Sequence, residues 1–266
     1  MTMMQRELLC ARECLRFSLR HPRYFVIFLL LYARSLGRWK DARPARIGYA
    51  FLQLFDDFMD GDRPCPESLE KLALRTRVAW NNGVFSADSV LSRLEQSFHT
   101  ALKTLPMTEG DTAHADVAEL LEAMQFDSER RTLRLRISSR SLKEHLLKTF
   151  RPSVNLLLLC SGCRARARDV PHVMEALCWC SVVRDFTEDM GKGLINIPAE
   201  SLPPEVQDTD LATNPKVQEW LREERRRGNA LLEASAVEVN LLASKDPTAA
   251  RILRTFTRSM RKYLKD

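Results

Sequence analysis

From residue 2 to residue 264 the apolar side chains return every three or four positions and almost nowhere every second one. That period lays an apolar stripe along a helix, whereas a half-buried strand needs alternation. Segments 2–20 and 23–37, parted by the RHPR break at Pro22, carry the pattern first. Further helices are predicted over 44–60, from 66 to Trp80 and, after a cap at Ser86 or Asp88, through VLSRLEQSFHTALKTL. Segments 114–131, 139–160, 170–191, 214–243 and 247–264 continue it. LPMTEGDTAHAD and NIPAESLPPEVQDTDLATNP read as loops. With no internal repeat and no low-complexity tract, the expectation is a single all-α domain over residues 1–266.

A chain of 266 residues, 45% hydrophobic and 29% charged, can bury a sizeable core and is unlike a disordered one. Its net charge of +6 suggests an anionic partner such as phosphates, a membrane surface or nucleic acid. Seven cysteines form no disulfide framework, so a reducing, cytoplasmic location is expected. Glu7, Arg12 and Glu13 interrupt the N-terminal apolar residues, which argues against a secretory signal. The most hydrophobic run, YFVIFLLLYA, has ten residues where a bilayer span needs roughly 20. It reads as a core helix or, at most, an interfacial one.

The charges most in need of explanation lie in FDDFMDGD, residues 55–62. Asp56 and Asp60 are four apart on one helix face, with Asp57 beside them. VVRDFTEDMGKG repeats the arrangement: Asp185 and Asp189 four apart, Glu188 adjacent. Like charges at that spacing repel, and the negative end of a helix dipole worsens matters. A shared cation would relieve both clusters. Mg²⁺ suits them, with Mn²⁺ as a substitute, because it takes oxygen ligands and is usually completed by water and substrate phosphates. An EF-hand loop starting at Asp56 fails, since Phe58 stands at the third-position ligand and Pro64 and Pro66 deform the rest.

YAFLQLFDDFMDGD (Tyr49–Asp62) resembles the first aspartate-rich motif of the squalene and phytoene synthases, and VVRDFTEDMGKGLINIP (Val182–Pro198) the second. AMQFD (Ala123–Asp127) is similar to their intervening Met-x-x-Asp segment. The resemblance implies a class I isoprenoid synthase fold, an all-α helical bundle around an apolar cavity. It implies that Asp56, Asp60, Asp185 and Asp189 are catalytic and, with Asp57 and Glu188, hold Mg²⁺ against a prenyl diphosphate substrate. Arg46, Arg184 and Lys192 would then bind diphosphate, and Phe25, Phe28, Tyr49, Phe51, Phe55 and Trp179 would wall the cavity, where π faces stabilise an allylic cation.

The chain departs from the family around the site. Gln53 stands where an Arg often precedes the first motif, Cys178 and Ser181 where Gln and Asn usually precede the second, and Leu194 and Asn196 where an Arg and an aromatic follow it. Leu146, Arg151 and Pro152 replace expected residues in the segment that carries a Tyr. These changes bear on a second substrate more than on metal binding. Head-to-head condensation of two farnesyl- or geranylgeranyl-type diphosphates is the leading expectation, cyclisation of one is the alternative, and a non-catalytic binding or assembly factor is a third.

Other features carry less. Cys178 and Cys180, two apart, point to opposite sides of a helix and do not share a zinc with Cys160 and Cys163. The arginine clusters ERRTLRLRISSR, CRARAR and EERRRG lack aromatic interleaving, so nucleic acid is not an expected partner; they read as solvated faces, with peripheral membrane contact second. The five histidines are scattered and are assigned no chemistry.

Overall fold

The computed structural model describes residues 3–20, 25–37, 39–86, 88–201 and 211–264. Ten α-helices and no strand occur among them. They are α1 (Met3–Arg20), α2 (Phe25–Ser35), α3 (Arg43–Met59), α4 (Leu69–Asn82), α5 (Val90–Leu102), α6 (Ala113–Leu133), α7 (Ser139–Cys160), α8 (Pro171–Gly191), α9 (Pro215–Ala243) and α10 (Pro247–Met260). The RHPR break and most of the long loop before α9 lie outside the described residues. Two compact units divide the chain: Met1–Gln125 with Leu159–Gly162, and Phe126–Leu158 with Cys163–Asp266.

In the first unit α3 lies against α1, α2 and α5. Pro44 opens α3 with the fixed φ a first turn accepts. Its apolar face, Ile47, Phe51, Leu54 and Phe55, is buried. Phe51 joins Trp80 and Phe98, with ring centroids 5.7 to 6.2 Å apart. Each such side chain contributes roughly 1.5–3 kcal/mol on burial. Gly48 sets the α3–α5 approach, because a Cβ there would meet the Phe98 ring at 2.6 Å. Deep in α5 sits Glu95, whose two oxygens have no hydrogen-bond partner among the described residues. Burial pushes its carboxyl up to about 8 in spite of Arg75, so it is neutral in the core.

The predicted cap of α5 shifts. Ser86 donates to Asp88 at 2.5 Å, and Ser89 is the residue whose hydroxyl accepts from the Ser92 amide at 3.0 Å. The last predicted helix stops at Met260, and Arg261–Leu264 continues as a 3₁₀ turn.

The second unit is built on α8, α9 and α10. One cluster joins Val154, Leu158, Val173, Met174, Val239 and Leu253; the other joins Trp179, Val183, Phe186, Ile195, Leu221 and Leu232. Gly228 lets α9 approach α8, since a Cβ there would lie 2.1 Å from the Trp179 ring. All seven cysteines are free thiols.

Candidate functional site

The first aspartate cluster ends α3, where the apolar stripe of Phe51, Leu54 and Phe55 gives out. Asp56 and Asp60 are half-buried, and Asp60 is the C-cap, its amide donating to the Asp56 carbonyl at 2.8 Å. Asp57, a quarter-turn round the helix, is only 3% exposed. Its carboxylate takes a hydrogen bond from Arg20 of α1. A buried charge neutralised by a guanidinium is structurally accounted for without a metal.

The second cluster ends α8 in the second unit. Arg184 clasps its neighbour Asp185 through Nε and Nη2 at 2.5 to 3.0 Å. Glu188 is exposed and pairs with Lys192 at 3.4 Å. Asp189 behaves differently. Burial first, and the Asp185 charge next, push its carboxyl up to about 7 against a lowering hydrogen bond. That hydrogen bond comes from Asn196 Nδ2, 2.8 Å from Asp189 Oδ2.

Asn196 begins a network the sequence reading missed. Its Oδ1 accepts from Arg130 Nη2 at 3.1 Å, and the same nitrogen donates to the Ile195 carbonyl at 2.7 Å. Arg130 Nη1 donates to Asp127 Oδ1 at 3.0 Å, and His145 Nε2 faces that oxygen at 2.8 Å. The His145 ring also packs edge-on against Phe126, centroids 5.0 Å apart. Asp189 is therefore tied through three side chains to a buried histidine. In the sequence Asp127 stands out only as part of AMQFD, Asn196 only as a departure from the family, and His145 only as one of five scattered histidines assigned no chemistry. The one signal in the chain was the three-residue spacing of Asp127 and Arg130.

The remaining predicted residues are dispersed. Arg46 is fully buried, donating to Glu7 Oε2 and to the Trp39 carbonyl, with its guanidinium 3.8 Å over the Trp39 ring. Phe55 is enclosed in the core, and Tyr49 stands edge-on to Phe17 at 6.1 Å. Phe25 is 37% exposed, and Phe28 is half-buried beside it and Tyr32. Trp179 is buried between α8 and α9, its indole donating to the Glu224 carbonyl at 2.6 Å.

Among the described residues no three His, Cys, Asp or Glu form a group that could hold a metal by themselves. The donors at each helix end are nonetheless all carboxylate oxygens, the set a hard cation with retained waters and phosphate ligands takes. The raised Asp189 carboxyl reflects burial first and the neighbouring Asp185 charge next.

A search among curated proteins returns no match to this chain. The profile described as squalene/phytoene synthase matches residues 31–266, a span that takes in both aspartate clusters, and the chain belongs to that family.

Proposed function

We propose that this chain is a Mg²⁺-dependent isoprenoid synthase that releases diphosphate from farnesyl- or geranylgeranyl-type substrates, by head-to-head condensation of two of them. The family acts on prenyl diphosphates by this reaction type. The observation that carries the reading is the pair of helix ends bearing carboxylates four residues apart, Asp56 and Asp60 on α3 and Asp185 and Asp189 on α8, inside the span matched by the family. Carboxylate oxygens so placed suit a hard cation completed by water and phosphate.

Asp56 and Asp60 on α3, and Asp185 and Asp189 on α8, would hold magnesium. Bound magnesium would neutralise the charge gathering on the leaving diphosphate. Asn196 donates to the Asp189 carboxylate and is itself bonded by Arg130, and Lys192, three residues beyond Asp189 at the end of α8, would meet phosphate oxygen. The C–O bond breaks with its electron pair going to diphosphate, and apolar side chains shield the allylic cation from water. Asp57 and Arg46, each engaged within the first unit, have structural roles in this scheme.

A second reading, ionisation and cyclisation of one prenyl diphosphate, is favoured by that engagement of Arg46, which leaves one basic group fewer for a second diphosphate. The test is diphosphate release from farnesyl and geranylgeranyl diphosphate with and without Mg²⁺, with mass analysis of the extract. A metal-dependent product of two prenyl units supports condensation, and one of a single unit supports the second reading. No release from folded protein overturns both and leaves a non-catalytic factor.

A further inference from the structure

Helix α1 carries its charge and its grease on separate faces. Met4, Leu8, Leu15 and Leu19 are 41% to 71% exposed. Offsets of 4, 11 and 15 residues place them within about 60° of arc. On one edge of this stripe run Arg12 and Arg16, both exposed. The helix's two carboxylates are turned the other way: Glu7 pairs with buried Arg46 at 3.0 Å, and Glu13, only 4% exposed, is shared by Arg63 at 2.7 Å, Arg16 at 3.1 Å and Arg12 at 3.7 Å. Three arginines thus surround one carboxylate and leave a positive surplus. The outward face therefore combines aliphatic side chains with positive charge and no negative charge from α1.

Its neighbour α2 also exposes apolar side chains. Phe25 and Leu29, with Leu36 one residue past the helix, are exposed at offsets of 4 and 11. Trp39 follows, 37% exposed, with Lys40 and Asp41 both exposed beside it. No described helix is long and apolar enough to cross a membrane, so these stripes serve an interface rather than a span.

We propose that α1 and α2 form a membrane-docking surface that lies on anionic lipid, with Leu8, Leu15 and Leu19 in the acyl boundary and Arg12 and Arg16 at headgroup phosphates. A surplus of exposed positive charge beside an apolar stripe fits an anionic lipid interface, and Phe25 and Trp39 at its edge suit the headgroup level. The inference does not depend on catalysis, although a lipophilic product would leave from such a surface.

The test is flotation of the full chain with phosphatidylcholine vesicles and with vesicles containing a third phosphatidylserine. Wild type should float with the anionic vesicles and be released by salt. Leu8→Ser, Leu15→Ser and Leu19→Ser together should weaken binding at least ten-fold. Arg12→Gln and Arg16→Gln should each weaken it about five-fold, the equivalent of about 1 kcal/mol per basic residue at such a surface. Val237→Ser with Leu241→Ser, an exposed pair on α9, should change nothing, and circular dichroism should show every variant helical. The proposal is overturned by failure of wild type to float, by leucine variants that bind as wild type does, or by an equal loss in the α9 control. It is also overturned if light scattering shows a dimer that the leucine variants dissolve and no vesicle binding, which would make the face a contact between copies.

Discussion

The ends of α3 and α8 present the same carboxylate spacing in two electrostatic states. On α3 the buried member, Asp57, is neutralised by Arg20 from α1. On α8 the carboxyl of Asp189 rises to about 7 because burial and Asp185 outweigh the Asn196 hydrogen bond and the nearby Arg130 charge. One motif contains a carboxylate bonded directly by a guanidinium, and the other a carboxylate bonded by an amide and pushed up by burial. Spacing alone does not distinguish them; the partner contributed from elsewhere in the unit does.

The largest effects belong to residues common to both motifs. Asp56→Ala and Asp185→Ala should each lower diphosphate release by about a thousand-fold, roughly 4 kcal/mol of barrier, with unchanged circular dichroism. Asp57→Asn tests the contrast. Losing the Arg20 pair should lower unfolding free energy by about 1–3 kcal/mol in a urea titration, because a charged partner is left unmet. Activity of the remaining folded protein should stay within about three-fold, in units of the same thousand-fold scale. A collapse of activity like that of Asp56→Ala would show Asp57 to be a ligand and erase the comparison.

The helices were legible in the sequence because burial of one face imposes the three- and four-residue period, and boundaries came out well where Pro44, Pro171, Pro215 and Pro247 open them. The α5 cap was misplaced because Ser86 and Asp88 bond to each other, leaving Ser89 to meet the helix amide. The aspartate pairs were legible as local patterns. Their surroundings were not, since Arg20 reaches Asp57 from 37 residues away and Arg130 meets Asn196 from 66. Arg46 and Trp179 show the limit of reading by residue type: a guanidinium and an indole suited to a ligand are occupied by Trp39 and by the α8–α9 contact.

Asp189→Asn should act in the direction opposite to Asp57→Asn. With its folded value raised from 3.8 to about 7, the wild-type carboxyl keeps its proton in the folded state while the unfolded chain gives it up. Stability is therefore fully present below about 4, falls between 4 and 7, and stays at its lower level above 7. The amide removes that loss. In metal-free protein at pH 8 the variant should be more stable by on the order of 2 kcal/mol, with the gain shrinking as pH falls toward 4. The same variant should lose the stabilisation that Mg²⁺ gives wild type. Thermal melts across this pH range, with and without metal, read both effects; a variant less stable than wild type at pH 8 would show that Asn196 and Arg130 outweigh burial and Asp185 after all.

The smallest effect sharpens the comparison most. Asn196→Leu keeps the volume but removes both the donor to Asp189 Oδ2 and the acceptor for Arg130 Nη2. Because that donor lowers the Asp189 value, its loss pushes the carboxyl further up, and at pH 7 more of it holds a proton that metal must displace. Mn²⁺ affinity, read by electron paramagnetic resonance, should fall about five-fold at pH 7, the equivalent of about 1 kcal/mol for one hydrogen bond. At pH 8.5 the carboxylate is ionised in both proteins and the gap should narrow. A deficit of the same size at both values would mean that Asn196 aims the carboxylate rather than tuning its proton. No deficit at either would detach Asn196, and the Arg130–Asp127–His145 chain behind it, from the metal chemistry of α8.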